Sequence, residues 1–269
     1  MELVTIHTSD GLSCEGIFWP AAAPIPQKKL GAVMVHGWTS WYDPRVKQRG
    51  FCGSFFPPTA EALALSGIPS VLTMNRGFHA PEFFNDCTLD FQANIQFLLS
   101  KGCEEVLIIG HSLGGAKCAY FAGEVGHPLL RGIVLMSAIP STYNFQGKDE
   151  LIENARQLVS QGKPHLILPF QEGQTVAIHE AETVLRNFDF AFRGTTLQAL
   201  EKVAVPLLSL ASQGEWSWFK EVTQGIHAAA RQAPSVDSHI VEGATDHGYS
   251  GYETHVAQVI AEWVKKTLL

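Results

Sequence analysis

The chain has 269 residues, of which 46% are apolar and 17% charged, with a formal net charge of −7. It is too apolar for a disordered chain, and its acidic balance leaves no general basic footprint for nucleic acid or anionic lipid. The length suits one α/β domain carrying a modest insertion.

The opening "MELVTIHTSDGLSC" lacks a basic start followed by an apolar run, so no secretory signal is expected. No apolar stretch approaches the roughly 20 residues that span a bilayer, so no membrane partner is expected. Cys14, Cys52, Cys87, Cys103 and Cys118 are odd in number and lack metal-like spacing. That usage points to reduced, buried thiols in a cytoplasmic protein.

Two extended stretches, "LVTIHTS" and "LSCEGIFWP", flank Asp10-Gly11, a hairpin signal. A polar loop follows, then "GAVMVHG", apolar at successive positions as a parallel strand buried on both faces must be. Helices and strands then alternate: "PPTAEALALSG" opens on proline and closes on Gly67, "IPSVLTMN" is extended, and "LDFQANIQFLLSKG" is helical up to Gly102. "EEVLIIG" reads as a strand, "SLGGAKCAYFAGEVG" as a helix despite its glycines, and "RGIVLMSA" as a strand. Later come strand "VPLLSLAS", helix "WFKEVTQGIHAAARQA", strand "DSHIVEG" and an amphipathic helix in "YETHVAQVIAEWVKKTLL". Such alternation implies a mostly parallel sheet covered on both faces, with functional loops at the carboxyl ends of its strands.

The alternation breaks between about Ser141 and Leu200. "DELIENARQLVSQG" is a helix, while "KPHLILPFQEGQTVAIHEAETVLRNFDFAFRG" mixes turns with short helical pieces. The expected division is a core of residues 1–140 and 201–269, with residues 141–200 forming a small helical cap or an extended surface excursion.

Within "VLIIGHSLGGAKC", Gly110-His111-Ser112-Leu113-Gly114 matches G-x-S-x-G. The pattern alone is weak, but here it follows a predicted strand directly and opens a predicted helix. A sharp strand-to-helix turn lifts the serine hydroxyl above the sheet, and side chains at the two glycines would collide with neighbouring backbone. Ser112 is therefore the candidate nucleophile, with the N–H of Leu113 as one oxyanion donor.

A serine hydroxyl needs a base at neutral pH. Of the eleven histidines, His247 lies in "EGATDHGYSG", between the last predicted strand and the last helix. That position fits the chain order serine, acid, histidine. His79 follows the second buried strand's loop and is a candidate for lining a pocket; His111 flanks the serine and is read as packing. The acid belongs to the loop after "VPLLSLAS", which reads "QGEWSW" and offers Glu215. Asp246, adjacent to His247, is the rival. His36-Gly37-Trp38, after "AVMV", resembles the H-G-x element that supplies the second oxyanion donor, here the N–H of Trp38; the alternative is a glycine that merely ends the strand.

Taken together, "VMVHGW", "MNRG", "GHSLGG", "VPLLSLASQGE" and "GATDHG" resemble the α/β-hydrolase superfamily over the whole chain except the cap. The resemblance implies the α/β-hydrolase fold: an eight-stranded, mostly parallel sheet, helices on both faces, and a small cap inserted after the sixth strand. Two departures are Glu215 where aspartate is usual, and "MNRGFHA" where an aspartate-led loop is more familiar. The resemblance by itself does not fix the reaction; the expected function is a cofactor-independent serine hydrolase, carboxylesterase-like, acting on a small-molecule ester, lactone or thioester. Rival readings on the same scaffold are a carbon–carbon bond hydrolase, a lyase, a cofactor-free oxygenase and a non-catalytic ligand-binding protein. Candidate pocket residues are His36, Gly37, Trp41, Tyr42, Phe170, Phe188 and Trp216. Phe51, Phe55, Phe56 and Phe192 are further candidates, with packing between loop and cap as the alternative for all these aromatic residues, while Arg45, Lys47 and Arg49 are either solvated charge or a site for an anionic substrate group.

Overall fold

The computed structural model describes residues 1–24, 29–37, 42–43, 48–49, 55–74, 84–140, 148–172, 175–185 and 195–269. Strands β1 (Glu2–His7) and β2 (Ser13–Trp19) pair antiparallel around a loop in which Gly11 takes a φ of +87°. β3 (Leu30–Val35) is buried along its whole length, as its continuous apolar run requires. Two short strands, β4 (Tyr42–Asp43) and β5 (Gln48–Arg49), pair outside the main sheet. Helix α1 (Phe56–Leu65) begins at the predicted prolines, and β6 (Ser70–Thr73) follows.

Helix α2 (Cys87–Ser100) leads into β7 (Glu105–His111), α3 (Leu113–Tyr120) and β8 (Leu130–Met136). Where one continuous helix was expected up to Gly126, α3 relaxes into a π turn at Phe121–Val125. α4 (Lys148–Ser160) matches the expected helix. β9 (Ile167–Glu172) and β10 (Thr175–Glu180) then form an antiparallel hairpin, in place of the turns and short helical pieces expected there. Short helices α5 (Ala181–Val184) and α6 (Thr196–Leu200) complete this segment. β11 (Leu207–Ser212), α7 (Ser217–Ala229), β12 (Val236–Val241) and α8 (Glu253–Thr267) finish the chain.

The main sheet has eight strands in the order β1-β2-β6-β3-β7-β8-β11-β12, parallel from β6 onward. The excursion from α4 to α6 follows β8, the sixth sheet strand along the chain. Two apolar layers sandwich the sheet. On one face Phe56 and Leu63 of α1 pack with Val256, Ile260 and Trp263 of α8. On the other, Phe91 and Ile95 of α2, Cys118 and Ala119 of α3, and Val222 and Ile226 of α7 pack together. Because consecutive parallel strands end at the same rim, the loops after β3, β7, β11 and β12 converge there.

Candidate active site

The turn after β7 is strained in the way the motif demands. Ser112 is half-buried and adopts φ 56° and ψ −120°, a region that side-chain-bearing residues rarely occupy. Its N–H donates to the Met136 carbonyl at 2.9 Å, and its own carbonyl accepts from Gly115 and Ile139. A Cβ at Gly110 would lie 2.3 Å from the Gly114 carbonyl oxygen, and one at Gly114 would lie 2.2 Å from that of Val35. Glycine at both positions therefore lets α3 press against β7 and the end of β3. Leu113, buried, supplies the first backbone N–H of α3 beside Ser112.

The loops after β11 and β12 are stitched together by backbone and side-chain bonds. Ser212 Oγ donates to the Ala244 carbonyl at 2.8 Å, the Gly214 N–H donates to the same oxygen at 2.9 Å, and the Gly243 N–H donates to Gln213 Oε1 at 2.9 Å. This junction brings Glu215 to His247. Their Oε1 and Nδ1 atoms are 2.5 Å apart, and the Glu215 side chain is 1% exposed. A carboxylate only accepts, so the imidazole proton sits on Nδ1 and Nε2 presents a lone pair. Glu215 Oε2 accepts from the Ser212 N–H at 3.1 Å, which fixes the carboxylate's rotamer.

Asp246 is turned elsewhere. Its Oδ1 accepts from the N–H groups of Gly248 and Ser250, at 2.8 and 3.2 Å. Partial burial pushes its pKa up, but bonds from Ser250 and Gly248 outweigh that and hold the carboxyl below the usual range. His111, next to Ser112 in the chain, has its ring centroid 4.4 Å from that of His247, which sets His247 against the nucleophile turn.

On the β3 side, His36 and Gly37 are buried at the end of the strand. His36 Nδ1–H donates to the Gly37 carbonyl at 2.6 Å. Burial lowers its pKa to about 4 against the pull of that bond, with the nearby Lys117 charge acting in the same direction as burial. Trp38, Trp41 and Phe188 lie outside the described residues, as do Arg45, Lys47, Phe51, His79 and Phe192; Tyr42, Arg49 and Phe170 are described only as backbone in β4, β5 and β9. Trp216 stands 69% exposed at the start of α7. Phe55 and Phe56 are not pocket walls: both are fully buried in the core beneath the rim.

Two features escaped the sequence reading. The Phe219 ring lies 4.0 Å from that of His247 and stacks on Trp218 at 4.0 Å. It joins Phe84, Leu113, Ala116 and Ile139 in an apolar wall beside the turn. Its position three residues after Trp216, on the buried stripe of α7, was the available signal. The second is Tyr249, fully buried with a φ of 56° two residues beyond His247.

The model of the alpha/beta hydrolase family matches residues 32–266. None of the curated proteins matches the chain in sequence. Among solved structures, Est1E from Butyrivibrio proteoclasticus superposes with a TM-score of 0.68 at 15% identity, covering 99% of this chain and 98% of that one. DcsB in complex with its substrate analogue gives 0.74 at 14% identity, with 99% of each chain covered. The Pyrococcus furiosus esterase PF2001 gives 0.65 at 15% identity, with 100% of this chain and 91% of that one covered. At such identities the superpositions speak for the fold, while the family match spans the sheet from β3 to α8, including the strained serine turn and the Glu215–His247 pair. The chain belongs to the alpha/beta hydrolase family.

Proposed function

We propose that the protein is a serine hydrolase, carboxylesterase-like, that cleaves a small ester, lactone or thioester through an acyl-enzyme on Ser112. One observation carries this reading. The buried Glu215 carboxylate lies 2.5 Å from His247 Nδ1, and the His247 ring packs against that of His111, the residue before Ser112 on its strained turn. Ser112 Oγ attacks the substrate carbonyl while His247 Nε2 takes its proton, and Glu215 stabilises the imidazolium that forms. The N–H groups of Leu113 and Trp38 receive the developing oxyanion. The leaving group departs with the proton held by His247, and the same imidazole then activates the water that releases the acid. Every step uses groups of the chain, the substrate and water, so the reaction calls for no cofactor.

The apolar wall of Leu113, Ile139 and Phe219 supports an apolar acyl or leaving group. No helix among the described residues is long and apolar enough to cross a membrane. The buried thiols of Cys14, Cys87, Cys103 and Cys118 fit a cytoplasmic setting.

A fluorophosphonate probe tests the mechanism: mass mapping should find the adduct on Ser112, and Ser112→Ala should carry none. Wild type that stays unlabelled while smaller phosphonates demonstrably enter the pocket would end the acyl-enzyme reading. A panel of p-nitrophenyl esters of graded acyl length, with lactones and acyl thioesters, then resolves the substrate.

A further inference from the structure

The Glu215 bond holds the His247 ring from one side, but a ring on a loop needs its backbone fixed as well. We propose that His111 is a positioning residue, whose Nε2–H, donated to the backbone carbonyl of His247, locks the base-bearing loop to the nucleophile turn. The inference rests on the hydrolase reading above and adds a residue to it.

His111 is wholly buried, and its Nε2 lies 2.9 Å from the His247 carbonyl oxygen. A carbonyl only accepts, so His111 carries its proton on Nε2. Its Nδ1 is buried with no hydrogen-bond partner among the described residues. A side chain needed for packing alone would be apolar here, because burying an unpartnered ring nitrogen is unfavourable. What the imidazole supplies, and an aromatic hydrocarbon could not, is a donor aimed at the backbone of the base itself. Burial holds the His111 pKa well below the ordinary histidine value, and the neighbouring His247 pushes in the same direction. The ring therefore stays neutral, with its single proton committed to that bond.

A second anchor lies two residues further on. Tyr249 bonds through its hydroxyl to Ser137 Oγ at 2.6 Å, and Ser137 N–H donates to the Leu210 carbonyl at 2.7 Å. Ser137 and Tyr249 both hold positive φ, 44° and 56°. The tyrosine ring sits edge-on to Phe55 at 5.8 Å and to His111 at 6.4 Å. Residues at the ends of β7 and β8 thus grip the loop from beneath at positions 247 and 249, while Glu215 grips it at the rim.

The test reads the base without requiring turnover. The His247 Nδ1 proton, held by Glu215, should give a far-downfield resonance in the resting protein, and its exchange with water reports how firmly the ring is held. His111→Leu should speed that exchange by about tenfold and slow fluorophosphonate labelling of Ser112 on the order of 10- to 100-fold. His111→Gln, whose amide can donate from nearly the same point, should recover most of both, whereas the shorter His111→Asn should not. If His111→Leu fails to fold, the Gln–Asn pair carries the comparison. The proposal is overturned by wild-type exchange in His111→Leu, by equal Gln and Asn variants, or by a wild type lacking the protected proton. Exchange that responds as described in a protein that never labels would instead remove the acyl-enzyme reading and leave the positioning role standing.

Discussion

The rim that carries Ser112, Glu215 and His247 and the excursion from α4 to α6 are held by different means. At the rim the functional groups sit on loops, yet those loops are bonded into the sheet by buried backbone and side-chain contacts: Ser112 N–H to Met136, Ser212 to Ala244, His111 to His247, Ser137 to Tyr249. The excursion has a small apolar cluster of its own, Leu151, Ile152, Ala155, Ala181, Val184 and Leu185. Among the described residues it meets the core through α6, where Thr196 Oγ1 donates to the Ile139 carbonyl at 2.6 Å and Thr196 N–H to that of Pro140 at 2.8 Å. The contrast is what the proposed function would demand of the two regions. Acyl transfer loses rate steeply when reacting groups drift by about 1 Å, whereas shaping a substrate's surroundings tolerates more movement.

The contrast is easiest to break at the acid. Glu215→Gln should lower kcat on the order of 10³- to 10⁴-fold, because a Gln amide no longer stabilises the imidazolium. Asp246→Asn should cost less than about tenfold, since its Oδ1 still accepts from Gly248 and Ser250. Steady-state kinetics on one activated ester decides the matter, and the reverse ranking would move the acid role to Asp246.

A second, smaller effect appears in stability at low pH. His36 titrates at about 4 when folded and near 6.5 when unfolded, so between those values the unfolded chain binds more protons. Its contribution is complete above pH 6.5 and is lost as the pH falls toward 4, by roughly 3 kcal/mol. Urea midpoints measured across that window should fall less steeply for His36→Gln; an unchanged slope would locate the acid sensitivity elsewhere.

Leu151→Ala sharpens the contrast from the other region. Removing a buried leucine costs about 2–5 kcal/mol, and here the loss should stay local: faster amide exchange in α4 and α5, and unchanged labelling of Ser112 by a small phosphonate. Loss of labelling would tie the excursion to the rim more closely than the two apolar clusters suggest. Thr195→Ala should have the smallest effect. It deletes the capping box that Thr195 forms with Gln198 at the start of α6 and should cost about 1 kcal/mol in thermal denaturation.

Much of this architecture is legible in the sequence, for identifiable reasons. β3 and β7 declare themselves because a strand buried on both faces is apolar at successive positions along most of its length. The serine turn declares itself because only glycine fits where α3 crosses the backbone at Gly110 and Gly114. The β9–β10 hairpin differs from the turns and short helical pieces that the segment's composition suggests, although only Gly173 and Gln174 lie between its strands in the sequence. Phe55 and Phe56, which the aromatic-rich loop before α1 makes candidates for either a pocket wall or packing, belong in the fold to the helix's buried start.

Local sequence determined the order of strands and helices, the nucleophile turn and the two loops offering an acid and a base, because periodicity, glycine sterics and chain order act over a few residues. The pairing of Glu215 rather than Asp246 with His247, and the grip of His111 and Tyr249 on the same loop, were decided only by tertiary structure. Residues 111, 137, 215 and 247 lie far apart along the chain, and which carboxylate turns inward depends on backbone donors that meet only when β7, β8, β11 and β12 end at one rim.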